Sequence, residues 1–170
     1  MNNSANDTSA DVKRIYGIVP AEIALKLSGL DFLARIARGD LPSPPFAQTA
    51  GMELKEVSQG RAVFRAFPAE SFFNPMGTIH GGWIATVLDS SLGCAVHTTL
   101  QPGSVYSTVE LSVRLVRKVM PESGPMICEG KIVHQGRRMA TAEARLLDCN
   151  GKLAAHGSAT CMIFEAGAAA

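Results

Sequence analysis

Residues 74–89 read NPMGTIHGGWIATVLD, a glycine-rich turn that leads directly into an apolar segment with a single carboxylate, Asp89. Two adjacent glycines, Gly81 and Gly82, let the backbone turn tightly and let a ligand approach the main chain. The helix that follows begins with N–H groups that have no partner within the helix and carry partial positive charge. Such amides can stabilise a developing oxyanion. The turn and the acid together predict catalysis on a carbonyl group.

The segment after the turn is apolar on nearly every side when it is read with a helical period. We therefore expect a helix that other elements wrap, in which an unpaired carboxylate is costly. A functional role is one interpretation of Asp89 in such a position. The alternative is a structural Asp that caps or bonds a neighbouring backbone group.

Length and composition restrict the class of protein. A chain of 170 residues that is 46% hydrophobic and 18% charged predicts one compact domain with a sizeable core. The net charge of +1 gives no indication of a nucleic acid or an anionic membrane as a partner. Residues 1–11 are polar and do not resemble a signal peptide, and no segment approaches the roughly 20 apolar residues of a membrane span. We expect a soluble, cytoplasmic protein.

The cysteines and histidines show no spacing typical of a metal site, so no metal is expected. The cysteines are Cys94, Cys128, Cys149 and Cys161, and the histidines are His80, His97, His134 and His156. Three of the cysteines lie in apolar runs and are expected to be buried, whereas Cys149 precedes the turn Asn150-Gly151 and is expected to be exposed. Nothing nearby marks any of them as an activated nucleophile.

Apolar spacing predicts a helix over about residues 20–38 and, after the apolar helix at 81–97, a long strand over 105–115. Further strands are predicted over 53–57, 61–67, 126–135, 138–148 and 152–164. Turns at 58–60, 136 and 150–151 join consecutive strands, which indicates an antiparallel sheet. In the strand over 105–115, strict alternation places the odd-numbered residues on one face and the even-numbered residues on the other.

The predicted fold class is α+β, with a curved antiparallel sheet wrapped around one long central helix. Ala140, Ala142 and Ala144 share one strand face, as close approach of a helix to a sheet requires. We expect a flexible N-terminal segment over residues 1–19, a helical extension over 20–48 and the main domain over 49–166.

Five short motifs then occur in a fixed order: residues 74–77 (NPMG), 80–82 (HGG), 88–90 (LDS), 107–111 (STVEL) and 136–138 (GRR). In this order and spacing they resemble the PaaI-like branch of the hotdog-fold acyl-CoA thioesterases. The resemblance extends roughly from Leu30 to Phe164. It departs from that branch at Lys118, which follows Arg117 at a position where the branch often has a proline after the arginine.

The resemblance implies roles for several residues. The amide of Gly81, helped by Asn74, would polarise a thioester carbonyl, and Asp89 would attack the acyl carbon or activate a water, with Thr108 positioning that water. It also implies that Asn74 and Gly81 of one subunit meet Asp89 and Thr108 of its partner, in a homodimer that pairs further into a tetramer. Coenzyme A would be part of the substrate, and no separate cofactor is implied.

Other residues are candidates for supporting roles. His80 beside the two glycines is interpreted as orienting or capping the turn, with proton transfer as the alternative. Cationic groups for the phosphates of coenzyme A are sought at Gly136, Arg137 and Arg138, and a second cluster comprises Arg114, Arg117 and Lys118. Candidate walls for a medium-chain or aromatic acyl group are Gly82, Phe72, Phe73, Trp83 and the apolar residues of the N-terminal helix, Leu30, Phe32, Leu33 and Ile36. The cationic residues are equally compatible with ordinary surface charges, and the apolar residues with ordinary core packing.

Two other functions remain open at this point. One is a hotdog protein that binds acyl-CoA without turnover, and the other is a hydratase or dehydratase on the same fold. Release of a free thiol would distinguish the thioesterase from both.

Overall fold

The computed structural model describes residues 14–167, so most of the predicted flexible segment lies outside the described residues. The helices are α1 (Ala21–Ala24), α2 (Gly29–Arg38), α3 (Pro45–Thr49) and α4 (Gly81–His97). The strands are β1 (Met52–Ser58), β2 (Arg61–Ala66), β3 (Ser104–Leu115), β4 (Met126–Gln135), β5 (Met139–Leu147) and β6 (Leu153–Glu165). Short 3-10 turns occupy Glu70–Phe72 and Pro121–Ser123.

The six strands form one antiparallel sheet in the order β1-β2-β4-β5-β6-β3. Helix α4 packs against β2, β3, β4, β5 and β6 and is buried along most of its length. The predicted arrangement of an antiparallel sheet around one long apolar helix is therefore confirmed. Because β3 lies at the end of the sheet, one of its long sides has no strand partner among the described residues.

Close approach of α4 to the sheet depends on small side chains. A Cβ atom at Gly130 of β4 would lie 2.2 Å from the carbonyl oxygen of Ser91, so the helix backbone touches the strand there. On the neighbouring strand β5, Ala140, Ala142 and Ala144 are all buried under the helix, as predicted. Small residues therefore set how close the helix comes to the sheet.

The N-terminal extension differs from the single helix predicted over residues 20–38. Helix α1 ends at Ala24, and α2 begins after Ser28, whose hydroxyl accepts a hydrogen bond from the N–H of Asp31 at 3.1 Å. Serine at such a position starts a helix, which explains the interruption. Gly39 ends α2 in the left-handed conformation, as expected from the sequence.

The alternation predicted for β3 is also wrong along part of the strand. The pairing of β3 with β6 skips Val109, which marks a β-bulge, so that Thr108 lies opposite the buried Cys161 and Leu111 opposite the buried Ala159. Directly opposed residues share a face of the sheet. An even-numbered residue therefore faces α4 before the bulge, and odd-numbered residues face it afterwards.

Candidate active site

Asp89 and Thr108, predicted to act together, are in contact. The hydroxyl of Thr108 on β3 donates a hydrogen bond to Oδ1 of Asp89 on α4, at 3.0 Å. Both residues are half-buried. Within residues 14–167 the partner of the carboxylate is this hydroxyl and not a backbone group, which argues against the capping interpretation of Asp89. The other carboxylate oxygen is left without a partner in the same range.

Asp89 lies on the wall of a predominantly apolar cavity of about 510 Å³, a volume typical of small-molecule sites. The extension that precedes the sheet, the first two strands, α4 and β3 all contribute to the wall. The residues from the extension are Gly17, Ile18, Val19, Phe32, Leu33, Ile36, Pro42, Ser43, Pro44, Phe46 and Ala47, and those from the two strands are Met52, Leu54 and Phe64. Helix α4 adds Asp89, Ser90, Cys94 and His97, and β3 adds Tyr106.

The first part of this wall, residues 14–19, is attached to the rest of the domain by Arg14. The guanidinium donates to Glu53 at 3.0 Å and to the carbonyl oxygen of Leu54 at 2.9 Å. The N–H of Gly17 donates to the carbonyl of Ser43, and the N–H of Ser43 donates to the carbonyl of Ile15. Sequence reasoning missed this part of the cavity, because residues 14–19 have no periodic pattern.

The glycine turn is shaped by His80, which caps α4. Its Nδ1 accepts a hydrogen bond from the N–H of Gly82 at 2.8 Å, as the capping interpretation predicted. Gly81 occupies the first position of the helix, and in the described part of the chain its N–H has no hydrogen-bond acceptor. That amide is free to donate to a ligand.

Asn74 organises the loop before the turn. Its Oδ1 accepts from the N–H groups of Met76 and Thr78, at 2.9 and 3.2 Å, and its Nδ2 donates to the hydroxyl of Thr78 at 2.8 Å. An amide nitrogen carries two donors, so one N–H of Asn74 remains for a ligand.

The two predicted halves of the site do not meet within one chain. Asn74 and Gly81 line a second cavity of about 340 Å³, which also contains Leu115, Arg117 and Lys118. Asp89 lines only the larger cavity among those described above. Asp89 follows Gly81 by eight positions along α4, which corresponds to about 12 Å along the helix axis.

The aromatic residues next to the glycine turn, predicted to bind the acyl group, lie outside the Asp89 cavity. Phe73 and Trp83 line a third cavity of about 320 Å³, which does not contain Asp89. Trp83 is only 6% exposed, donates from its indole N–H to the carbonyl of Ala50 at 2.8 Å and stacks on Phe72. It therefore belongs to the core beneath the turn. By contrast, three apolar residues predicted from the N-terminal helix, Phe32, Leu33 and Ile36, do line the Asp89 cavity.

The predicted phosphate-binding residues are at the turn between β4 and β5. Arg137 and Arg138 are exposed there, next to the half-buried Gly136. None of these three residues lines the cavities of Asp89 or Gly81.

Comparison with known proteins places the chain in a family. Residues 76–155 match the family described as Thioesterase superfamily. A protein of Saccharolobus solfataricus that is named as an esterase is 30% identical over 99 residues, which are 58% of this chain and 69% of that relative. The chain belongs to the thioesterase superfamily.

Two further proteins are similar to this member of the thioesterase superfamily. A 1,4-dihydroxy-2-naphthoyl-CoA hydrolase of Listeria monocytogenes is 21% identical over 106 residues, 62% of this chain and 85% of that protein. A solved structure of a phenylacetic acid degradation-related protein from Ralstonia eutropha JMP134 is 29% identical, with a TM-score of 0.70, over 76% of this chain and 98% of that one. The predicted PaaI-like resemblance and hotdog fold are confirmed.

Two cysteines of this thioesterase superfamily member, Cys94 and Cys128, are poorly suited to act as nucleophiles. Burial raises the pKa of Cys94 to about 12, with the nearby charge of Asp89 adding to the effect, and burial raises the pKa of Cys128 to about 12. Both thiols therefore stay protonated at neutral pH, whereas the reactive form of cysteine is the thiolate. Cys149 is exposed, as predicted.

Residues 14–167 contain neither a cluster of metal ligands nor a helix suited to span a membrane. No group of three or more His, Cys, Asp or Glu residues there is arranged to hold a metal ion. No helix in that range is long and apolar enough to cross a membrane.

Proposed function

We propose that this protein hydrolyses the thioester bond of a medium-chain or aromatic acyl-CoA to a free acid and coenzyme A. The observation that carries the proposal is the hydrogen bond from Thr108 to Asp89 at the wall of a 510 Å³ apolar cavity. A carboxylate held by one oxygen keeps the other available as a base or nucleophile. The Listeria monocytogenes relative, named as a hydrolase of an aromatic acyl-CoA, supports this substrate class.

A thioester is a suitable substrate because the proposed site offers few catalytic groups. The thiolate of coenzyme A is a good leaving group near neutral pH, so one base and one oxyanion donor suffice. In the proposed reaction Asp89 takes a proton from water as the water oxygen attacks the carbonyl carbon. The carbonyl oxygen becomes an oxyanion held by the N–H of Gly81. Collapse of this intermediate breaks the carbon–sulfur bond, and the departing sulfur receives the proton.

A homodimer would bring the two halves of the site together through β3. Asp89 contacts β3 at Thr108, and Gly81 lies against β3 at Leu115, since a Cβ at Gly81 would be 2.9 Å from the Leu115 side chain. Residues 108 and 115 are equidistant from the midpoint between Leu111 and Ser112. Antiparallel pairing of two copies of β3 about that midpoint therefore places Thr108 of one copy opposite Leu115 of the other.

Exposure on β3 is consistent with such a dimer. Val109 is 51% exposed and Leu115 is 54% exposed, although both are large and apolar. An edge strand with exposed apolar residues is a favourable surface for pairing with another chain. Further association of dimers into a tetramer stays a prediction, which the mass of the protein in solution would measure.

Binding of coenzyme A would require cations for its phosphates. We keep the exposed pair Arg137 and Arg138 as the first candidates. Changing both to alanine is expected to raise KM about tenfold for an acyl-CoA, because surface charge contacts are individually weak. KM for the same acyl group on N-acetylcysteamine, which has no phosphates, should not change. Equal KM changes for both substrates would contradict the assignment.

The experiment that tests the function is thiol release from a panel of acyl-CoAs of graded chain length, with phenylacetyl-CoA and hydroxybenzoyl-CoA included. Asp89→Asn should lower kcat by about 10²- to 10⁴-fold, the usual contribution of a general base, while the thermal unfolding midpoint stays near that of the wild type. Asp40→Asn, the same change at an exposed aspartate, is the control and should retain full activity.

Three outcomes would contradict the proposal. Wild-type turnover by Asp89→Asn would contradict the proposed role of Asp89 as the catalytic base. Binding of acyl-CoA without any thiol release would favour a non-catalytic binder. Interconversion of enoyl and hydroxyacyl thioesters without thiol release would favour a hydratase.

A further inference from the structure

Polar side chains recur along the apolar cavity beyond Asp89. His97 lies eight residues further along α4, about two turns or 12 Å from the acid. Tyr106 lies two residues before Thr108 on β3 and faces α4. The cavity wall therefore carries Asp89 at one position and a second polar pair, His97 of α4 and Tyr106 of β3, further along the helix axis.

The hydroxyl of Tyr106 is positioned by the absence of a side chain on α4. A Cβ atom at Gly93 would be only 2.3 Å from this hydroxyl oxygen, so any other residue would displace the phenol. Gly93 is four residues after Asp89, which places the hydroxyl about 6 Å further along the helix axis. The phenol packs against the imidazole of His97 at 5.7 Å between ring centroids, and Phe32 packs against that imidazole at 5.7 Å.

Among the described residues, neither polar group is engaged in a hydrogen bond. Within residues 14–167 the Tyr106 hydroxyl and the His97 ring nitrogens have no hydrogen-bond partner. These atoms are not sealed in the core either, because every fully buried side-chain nitrogen or oxygen of the described residues does have a partner. A ligand that displaces water from the cavity must replace those hydrogen bonds or lose their free energy.

Both groups are neutral near pH 7. Burial raises the pKa of Tyr106, and the neighbouring Cys94, Cys161 and Asp89 add to that effect. Burial lowers the pKa of His97. A neutral phenol donates one hydrogen bond, and a neutral imidazole offers one donor and one acceptor. Such a pair suits an uncharged hydroxyl or carbonyl group rather than an ion.

We propose that Tyr106 and His97 form a specificity pair that hydrogen bonds to a hydroxyl or carbonyl substituent on the acyl group, remote from the thioester. This inference rests on the proposed function, because it assumes that the thioester lies at Asp89. The helix spacing places the substituent about 6 to 12 Å beyond the reacting carbonyl. The favoured acyl group is therefore apolar along its middle and polar at its far end.

The test uses three thioesters of the same chain length: octanoyl-CoA, 3-hydroxyoctanoyl-CoA and 8-hydroxyoctanoyl-CoA. Wild-type kcat/KM should be about tenfold higher for the 8-hydroxy substrate than for octanoyl-CoA, since one well-placed hydrogen bond contributes about 1 kcal/mol or more. The 3-hydroxy substrate should show no such advantage, because its hydroxyl lies beside the carbonyl. Equal kcat/KM for the 8-hydroxy and unsubstituted substrates would overturn the proposal.

Two variants assign the effect to the pair. Tyr106→Phe removes only the hydroxyl, and His97→Phe removes the ring nitrogens while keeping an aromatic ring. Either variant should reduce the ratio of kcat/KM between the 8-hydroxy and unsubstituted substrates towards one. His134→Phe, at an exposed histidine outside the cavity, is the matched control for His97→Phe and should leave that ratio at the wild-type value. If both Tyr106→Phe and His97→Phe kept the wild-type ratio of kcat/KM, the two residues would not be the source of the preference.

A binding measurement separates this inference from the proposed function. Calorimetry with 8-hydroxyoctanoyl-CoA and octanoyl-CoA on Asp89→Asn reports the preference without turnover. Preferential binding of the hydroxylated ligand in a protein that releases no thiol would support the pair and reject the hydrolase. Thiol release with no preference in either measurement would support the hydrolase and reject the pair.

Discussion

At the scale of one residue, the proposed role of the Gly81 N–H as oxyanion donor can be tested directly. Proline is tolerated at the first position of a helix, and the preceding residue, His80, already has the extended conformation (φ −63°, ψ 136°) that proline requires of its neighbour. Gly81→Pro therefore removes the proposed oxyanion donor with little change in the backbone. We expect kcat to fall about 10²- to 10³-fold in the thiol-release assay.

Gly81→Ala is the matched control for that substitution. It keeps the N–H and adds a Cβ against the end of the Leu115 side chain, which can move. We expect the alanine variant to lose much less activity than the proline variant. Similar kcat values for the two would mean that the amide is not the oxyanion donor.

Some site residues could be predicted from the sequence and others could not. Asp89 was recognisable because it is the lone carboxylate in an apolar helix, and His80 because it precedes two glycines. Tyr106 was not, since its hydroxyl is placed by Gly93, a residue on a different element. Trp83 was assigned to the substrate because it is aromatic and near the turn, yet its indole is satisfied by a backbone carbonyl in the core.

At the scale of elements, the contact between α4 and β4 determines how close α4 lies to the sheet. Gly130→Ala would place a Cβ 2.2 Å from the Ser91 carbonyl oxygen, and both sides of this contact are backbone. We expect a loss of about 1 to 3 kcal/mol in the free energy of unfolding, typical of overpacking, measured by urea denaturation.

Gly17→Ala provides the comparison, because its Cβ would meet nothing closer than 3.6 Å and its backbone conformation accepts alanine. Its free energy of unfolding should stay within about 0.5 kcal/mol of the wild-type value. If Gly130→Ala were equally harmless, the helix would be less closely packed on the sheet than described.

The number of strands and their antiparallel hairpins could be predicted because turns with glycine separate consecutive strands. The bulge in β3 could not, since a regular alternation of polar and apolar residues continues across Val109. Its consequence is functional: the extra residue lets Thr108 face Asp89 while Val113, further along the strand, still packs on the core. The break between α1 and α2 was likewise hidden by apolar residues at helix-compatible spacings.

At the scale of the whole molecule, the proposed dimer makes a prediction about mixed subunits. Gly81→Pro and Asp89→Asn are each expected to be nearly inactive alone. In a heterodimer of the two variants, one site receives an intact Gly81 from one chain and an intact Asp89 from the other. Co-expression with two purification tags should therefore restore up to half of the wild-type activity per dimer. A heterodimer as inactive as its parents would place the complete site within one chain.

Stability at high pH should reflect the buried thiols. Cys94 and Cys128 keep their protons in the folded state up to about pH 12, whereas the same groups in the unfolded chain ionise from about pH 8.5. The unfolded state then binds fewer protons, so the free energy of unfolding should fall as the pH rises from about 9 to 12. Below this window the two thiols contribute no pH dependence.

Urea midpoints between pH 8 and 11 would measure this effect. Cys128→Ala should show a shallower decline than the wild type, and Cys149→Ser, at the exposed thiol, should show an unchanged decline. The same slope in all three proteins would show that the buried thiols do not cause it.

The attachment of residues 14–19 by Arg14 has a consequence for how such proteins diversify. The family match begins at residue 76, after the extension and the first two strands that form most of the wall around the larger cavity, whereas Asp89 and Thr108 lie inside the matched range. Most of the wall around the proposed acyl site and the proposed catalytic pair therefore lie in different stretches of the chain, whereas His97 and Tyr106 lie inside the matched range. Exchange of residues 14–50 between relatives could alter the accepted substrate while the reaction itself is inherited intact.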